Sequence, residues 1–362
     1  MSRLQTILAV AASLFAGAAL VLGWAGAAPL PFFIFATAGL AVGARARISI
    51  SPWIDGTIAL LGAWALLDTL PLFEVEPLWF WLGLVACWLF AWLFVERLAQ
   101  AIRRKDVPGA LGVIIPVVFG LSLLFSWEIV TRGANVPQVL LPAPSMIWAR
   151  LTASVPTLTA DFVQTFKAVL AGFALGCGAG FVVAILVDRS PFLKRGLLPI
   201  GNFVSALPII GIAPIMVMWF GFDWPSKAAV VVAMTFFPML VNTVAGLNAS
   251  SVIERDLMRT YAANYWETLL KLRLPAAAPF IFNALKINST LALIGAIVAE
   301  FFGTPIVGMG FRISTEVGKL NIDLVWAEIA VAAVAGSAFY GVIALIERAV
   351  TFWHPSVRGG RT

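Results

Sequence analysis

Residues able to do chemistry are few in this chain, and their types exclude most catalytic arrangements. A single histidine, His354, lies close to the C-terminal end, so neither a multi-histidine zinc site nor a deep Ser-His-Asp triad can be built. Cys87 and Cys177 each sit inside an apolar run, where a thiol behaves as a small core residue and points to neither a disulfide framework nor a metal cluster. No G-x-x-x-x-G-K-[ST] stretch is present, so no loop of that kind can cradle nucleotide phosphates. What remains is a scatter of polar and charged residues in apolar surroundings. Asn202, Ser205, Asn242, Thr243, Asn288 and Ser289 are the polar ones, and Lys167, Lys286 and Glu300 the charged ones. Such groups inside a membrane either line a solute path or tie helices together.

The elements that must position them follow from composition. Of 362 residues, 61% are hydrophobic and 12% charged, whereas a soluble domain is about half apolar and about a quarter charged. A hydrocarbon core about 30 Å thick needs about 20 apolar residues in helical form. Candidate stretches are two within 4–44, broken by a turn near 23–31, then 53–72, 77–95, 110–130, 162–187, 197–220, 228–246, 280–302 and 326–353. The expected fold is an all-α integral membrane protein of about ten spans. A cleaved signal peptide fits poorly, because the first run lacks a strongly basic start and another apolar run follows at once.

Net charge is +6. With the N-terminus in the cytoplasm and sides alternating, Arg3, Arg45, Arg47, Arg97, Arg103, Arg104, Lys105, Arg189, Lys194, Arg195, Arg255, Arg259, Lys271, Arg273, Arg348, Arg358 and Arg361 fall inside. Arg132, Arg150, Lys227, Arg312 and Lys319 fall outside. The positive-inside rule therefore places both termini in the cytoplasm. Orientation accounts for the basic excess, and no basic, aromatic-interleaved soluble stretch suggests nucleic acid.

The basic stretch 96–106, followed by Pro108 and Gly109, divides the chain. Residues 1–106 form an extension of four spans with almost no polar residue away from their ends, suited to packing, to lipid or to a partner membrane protein. Residues 107–362 hold six spans. In the outer segment of this part Ser145 reads as the N-cap of a short amphipathic helix with Met146, Ile147, Leu151 and Val155. The span at 197–220 carries Pro199, Gly201, Asn202, Ser205, Pro208, Gly211 and Pro214 at short intervals, which predicts a kinked helix. Its small residues serve a path or close packing equally well. Snorkelling explains Lys167 and Lys286, and Glu300 is expected to pair with Lys167 or a basic loop residue, or to line the outer gate.

Between Asn248 and Pro279 the pattern changes. Ser250 or Ser251 can form a capping box with Glu254, and Val252, Leu257, Met258 and Tyr261 make one apolar face opposite Glu254, Arg255 and Arg259. Ala262, Ala263 and Asn264 read as a tight break. Trp266, Leu269, Leu270 and Leu272 then give a second amphipathic helix ending before Pro275. The pair could lie on the bilayer surface or dock a soluble partner.

This segment resembles the cytoplasmic loop of importer permeases of the ATP-binding cassette (ABC) class, whose pattern is Glu-Ala-Ala, three residues, Gly, nine residues, Ile, one residue, Leu-Pro. Laid on Leu274-Pro275, Leu272 takes the Ile position, Ala262 the Gly, and Asp256-Leu257-Met258 the Glu-Ala-Ala. Leu141-Pro142-Ala143-Pro144-Ser145, Thr165-Phe166-Lys167, Gly172, Ala206-Leu207-Pro208, Ala213-Pro214, Trp219-Phe220-Gly221, Ser226-Lys227, Phe237-Pro238, Ala299-Glu300 and Gly308-Met309-Gly310 recur in the order seen in the nitrate/sulfonate/taurine type. The finer likeness is to subunits for pyrimidine thiamine precursors or riboflavin. The resemblance covers about residues 107–355.

It implies a six-helix type I permease core in the bacterial inner membrane, working as a homodimer. ATP and magnesium would be handled by separate ATPase subunits, with no cofactor on this chain, and an external solute-binding protein would deliver a small organic solute. Residues at about 250–275 would be the coupling helices, with Asp256, Arg259, Tyr261, Ala262, Ala263, Asn264, Leu272, Leu274 and Pro275 facing the ATPase. Asn202, Ser205, Pro208, Pro214, Asn242, Thr243, Asn288, Ser289 and Glu300 would be candidates for the translocation path. An ion-gradient transporter would call for acids at the membrane midplane or an inverted repeat, and a membrane enzyme for clustered His, Asp or Glu. A scaffold without transport would not need the patterned cytoplasmic segment.

Overall fold

The computed structural model describes residues 2–26, 28–44, 51–72, 76–205, 208–303 and 306–353. His354 lies outside them. The described residues form helices and no strand: α1 Arg3–Ala25, α2 Leu30–Ala44, α3 Pro52–Thr69, α4 Leu78–Arg103, α5 Ile114–Gly133, α6 Pro144–Ala153, α7 Val155–Arg189, α8 Pro191–Ser205, α9 Ile209–Phe220, α10 Trp224–Leu247, α11 Val252–Thr260, α12 Tyr265–Thr268, α13 Leu274–Glu300, α14 Met309–Gly318 and α15 Ile322–Val350. Among the described residues, eight helical segments are long and apolar enough to cross a membrane, and the apolar parts of α2 and α9 are shorter. The chain packs as two units, 1–148 and 149–362, so the packing division lies downstream of the basic stretch and leaves α5 with the first unit.

In the first unit small residues let helices approach. Ala9, Ala12, Ala16 and Ala19 recur along one face of α1 and are at most 2% exposed. Phe32, Phe35, Phe80 and Phe90 fill the interior, and the Phe32 and Trp79 rings meet edge to face at 4.5 Å. One polar joint lies within this apolar body: Arg97 Nη1 donates to Asp55 Oδ2 at 2.6 Å, with both side chains buried. Asp55 stands in the first turn of α3, and Arg97 reaches it from α4. Ser145, expected as an N-cap, instead lies in the first turn of α6. Its N–H and hydroxyl donate to the two carboxylate oxygens of Glu128 on α5 at 2.8 and 2.6 Å. Pro144, which has no N–H to lose, already starts that helix.

The second unit is built on α7, α10 and α13. α7 has 35 residues, about 50 Å of helix, and packs along α10, which in turn packs on α13; α15 lies against α13. Asp223 caps α10 by accepting the Trp224 N–H at 2.7 Å, and Gln164 Nε2 donates to it at 2.8 Å. These donors hold its carboxyl below the usual carboxylate range. Contact between α7 and α10 is set by Gly172, Gly176 and Gly180, four residues apart on one face. A Cβ at Gly172 would stand 2.6 Å from Ala228 O, and one at Gly180 2.5 Å from Phe236 O. This small-residue stripe brings the backbones together, as in other membrane helix pairs, and it was not singled out in the sequence.

The span expected at 197–220 is two helices rather than one kinked rod. α8 is described to Ser205, and Pro208, extended at φ −69° and ψ 121°, stands at the N-cap of α9. A proline supplies no N–H to the preceding turn and disfavours helical backbone before it, so the residue that was expected to bend the helix begins a new one.

We expect Gly176→Leu to lose the folded protein, because overpacking costs about 1–3 kcal/mol even where neighbours can shift, and backbone cannot retreat here. The check is the detergent-solubilised monodisperse fraction and its Tm beside a Gly178→Leu control, since a Cβ at Gly178 meets nothing within 4 Å.

Candidate functional site

The segment joining α10 to α13 is built by local capping. Ser251 Oγ accepts the Glu254 N–H at 3.2 Å, and Glu254 Oε2 accepts the Ser251 N–H at 2.8 Å, closing the capping box that starts α11. At the other end the Ala262 N–H donates to Arg259 O at 2.9 Å and the Ala263 N–H to Met258 O at 3.0 Å. That is a Schellman closure, whose geometry needs a left-handed residue after the helix cap. Ala262 supplies it at φ 51°. This is the position where the importer pattern has glycine, so Ala262 keeps the conformation and accepts a cost of about 1 kcal/mol. Asn264 then opens α12 with a second capping box to Glu267, both bonds at 2.9 Å.

The second helix differs from expectation. α12 is four residues long, Leu269–Arg273 form a π-helical turn, and the chain runs on into α13 with Pro275 in its first turn. Pro275 therefore does not end a helix. Its missing N–H falls beside a stretch where bonding has already left the i to i−4 pattern. Leu269 is buried with Leu247 and Ala277, and Leu274 packs at the edge of that cluster. Leu272 is half-buried.

A buried ion pair fastens the segment to the bundle. Asp188, near the end of α7, takes both Arg273 guanidinium nitrogens at 2.7 Å and the Tyr265 hydroxyl at 3.0 Å, while Arg273 Nε donates to Leu247 O at 2.9 Å. The side chains of Asp188 and Arg273 are 5% and 12% exposed. Arg189 lies over the Tyr265 and Trp266 rings, 5.6 and 5.8 Å from their centroids. Arg255 closes the turn after α10 through Asn248 O and Ser250 O, both at 2.8 Å. None of these anchors was legible beforehand, because Asp188 and Arg273 are 85 positions apart.

The opposite face of the segment is bare. Val252, Ile253, Leu257 and Tyr261 are 71, 82, 56 and 77% exposed, and Asp256 and Arg259 pair with each other at 3.2 Å on the surface. The result is a rigid, capped knob presenting an apolar patch with one charged pair.

At the other end of the second unit, roughly 40 Å along α7, a polar clasp holds the start of α14. The Gly308, Met309 and Gly310 N–H groups donate to Asp161 Oδ1, Thr165 Oγ1 and Glu300 Oε2 at 2.7, 2.9 and 2.7 Å. The Thr165 hydroxyl donates to Glu300 Oε1 at 2.8 Å, and Arg312 Nε to Asp161 Oδ2 at 2.8 Å. Anionic groups at a helix N-terminus complement its dipole and its free N–H groups. Gly308 is required here. Its φ is 143°, and a Cβ would lie 2.7 Å from Glu300 Oε1.

Glu300 thus does not pair with Lys167, which is exposed with Nζ 4.8 Å from the Trp224 ring centroid. The cation facing Glu300 is Lys227. It was expected in an outer loop, but it is 1% exposed and donates to Phe222 O at 2.6 Å and to Gly303 O. Lys286, expected to snorkel, is paired with Glu347 at 2.7 Å.

The other path candidates separate by burial. Asn288 is fully buried and donates to Thr235 O at 2.8 Å and Cys177 Sγ at 3.2 Å. Ser289 and Thr243 are buried too, the first donating to Lys286 O and the second without a hydrogen-bond partner. Asn242 is half-buried and donates to Pro238 O at 2.8 Å. Pro208 is exposed and Pro214 half-buried on α9. Asn202 and Ser205 lie on the last turns of α8, and their side chains are outside the described residues. The cysteines are free and buried, and no group able to hold a metal ion occurs among the described residues.

Removing Asp188 should leave Arg273 uncompensated, and breaking a buried pair in this way costs about 3–5 kcal/mol. We expect Asp188→Ala to lower the Tm and to expose the 252–273 segment to limited proteolysis, whereas Asp256→Ala, which breaks only a surface pair, should do neither.

Two kinds of likeness to known proteins bear on these features. Residues 172–352 match the family described as binding-protein-dependent transport system inner membrane component, a stretch that includes the knob and most of the clasp. A riboflavin transport system permease protein of Chloroflexus aurantiacus is 29% identical over 72% of this chain and 97% of its own length. A formylaminopyrimidine transport permease protein of Halalkalibacterium halodurans is 30% identical over 66% of this chain and 95% of its own. A taurine transport system permease protein of Escherichia coli is 28% identical over 61% and 76%. With its apolar helices, two-ended polar fastening and bare knob, the chain belongs to the binding-protein-dependent transport system inner membrane components, as a multi-pass permease subunit of an ABC transporter.

Proposed function

We propose that this chain forms, as a homodimer, the membrane path of an ATP-driven importer for a small organic solute. The observation that carries the reading is the knob of α11 and α12: capped at both ends, fixed to α7 and α13 through Asp188 and Arg273, and apolar on its free face. An amphipathic element resting on lipid needs no such fastening, whereas one that transmits force does. In this reading an ATPase subunit, which binds ATP and magnesium, receives Tyr261, Leu257 and the Asp256–Arg259 pair in a cleft. Its closure moves α13 and α7 as one body.

The side of the knob is then cytoplasmic, both termini are cytoplasmic, and the clasp at α14 faces outward. An external solute-binding protein delivers solute on that side. Exposed Phe192, Ile200, Met218 and Trp219 on α8 and α9 supply apolar surface for a second copy, and the polar residues 202 and 205 fall on the same element as Phe192 and Ile200. The relatives' solutes, riboflavin and a formylaminopyrimidine among them, make a heteroaromatic vitamin or its precursor the first class to test.

The test uses the chain with and without its ATPase. Purified alone it should hydrolyse no ATP; with the ATPase in nanodiscs it should support hydrolysis. A docking residue at the centre of an interface is worth about 2 kcal/mol or more, roughly 30-fold in affinity. We therefore expect Tyr261→Ala and Ala263→Glu to reduce ATPase binding by at least that factor and to abolish uptake while insertion stays normal. Normal uptake by Ala263→Glu would overturn the docking assignment.

A further inference from the structure

The clasp contains one group that its hydrogen bonds do not explain. Glu328, in the second turn of α15, is 0% exposed, and neither of its carboxylate oxygens has a donor. An ionised carboxylate offers about four acceptor sites, and leaving all of them empty away from water is among the costliest arrangements a protein can hold. Glu328 does have a neighbour, but of the wrong sign. The group it faces is the Asp161 carboxyl.

The two acids are not equivalent. Asp161 accepts the Gly308 N–H on one oxygen and Arg312 Nε on the other, both of which favour its ionised form. Glu328 accepts nothing. Two carboxyl groups sharing a dry site retain one proton between them, and the donors already in place determine which one holds it. We propose that Glu328 is kept as a neutral carboxylic acid whose O–H donates to Asp161, so that a bound proton is a structural part of the clasp that secures α14.

All surrounding charges bear on this site. Asp161 faces Glu328 from α7, Glu300 from α13 and Arg312 from α14. Glu316 of α14 reaches Arg312 but is engaged by Lys319 at 2.8 Å and Asn321 at 2.7 Å. Lys227 of α10 faces Glu300. Arg150 of α6 is taken by Asp323, on the first turn of α15, at 3.6 Å. Arg312 is therefore the cation nearest the pair, and it is already directed at Asp161. Among the described residues no second cation faces Glu328 to neutralise its ionised form.

The consequence is a proton-linked fastening. Loss of the proton would set two carboxylates against each other beneath Gly308 and loosen α14 from α7 and α15. This inference stands apart from the transport reading, because its readout is the purified chain without partners. In an unfolded chain a glutamate has released its proton above about pH 4.3. A folded state that keeps the proton loses stability as pH rises from that value upward, until the folded carboxyl too is ionised.

The experiment compares the full-length wild type with Glu328→Gln in detergent, since a carboxamide is neutral and can donate to Asp161 in the same way. Expected are a protonated-carboxyl C=O band in the infrared spectrum of the wild type near neutral pH, its loss in Glu328→Gln, and a Tm advantage of the variant that grows as pH rises. The absence of that band from the wild type, its persistence in the variant, a Tm difference that does not grow with pH, or failure of Glu328→Gln to fold would each overturn the proposal.

Discussion

Polar groups in a medium without water must find their partners inside the protein, and in the second unit that constraint is met at the two ends of α7. Asp188 at one end collects a guanidinium, a phenol and, through Arg273, a backbone carbonyl. Asp161 at the other end collects a backbone amide and a second guanidinium. Between them the helix carries glycines that bring α10 to backbone contact. Position along the helix thus sorts the chemistry: charge near its ends, and small residues where another backbone must come close.

How much of this was legible depended on sequence distance. The capping box at Ser251 and Glu254 and the break at Ala262 to Asn264 are local patterns, and the structure reproduces them because capping is decided within four residues; the second box, from Asn264 to Glu267, is equally local but was not read from the sequence. The apolar spans were legible for a similar reason, since length and hydropathy suffice to mark them. The joints at Asp188–Arg273 and Asp161–Arg312 were not, because nothing local distinguishes a charge that will be paired across the fold from one at a water interface. Lys227 illustrates this limit: beside a proline and a serine it reads as a loop cation, and only the return of the chain at Gly303 buries it. The division of the span around Pro208 was missed for another reason. A proline can bend a helix or begin one, and the choice depends on packing rather than on the residue.

The first unit answers the same constraint mainly by carrying few polar groups. Its interior is mostly alanine, phenylalanine and leucine, and in the Asp55–Arg97 pair one guanidinium nitrogen and one carboxylate oxygen meet at 2.6 Å. Side-chain hydrogen bonds such as Trp88 Nε1 to Ser126 Oγ at 2.7 Å satisfy indoles without opening a route for solute. Such an interior is suited to holding shape.

The π turn at Leu269–Arg273 has a further consequence. A π turn carries one residue more than the α-helical path it interrupts, so everything before it is rotated by about 100° relative to everything after it. The knob and the membrane helix α13 are continuous in chain yet out of phase, and that phase is stored in a five-residue stretch. Aim and reach are thereby separate variables. A lineage that gained or lost one residue here would re-point the bare face of Val252, Leu257 and Tyr261 around the helix axis without touching the bundle, so the aim of that face can drift by indel as well as by substitution.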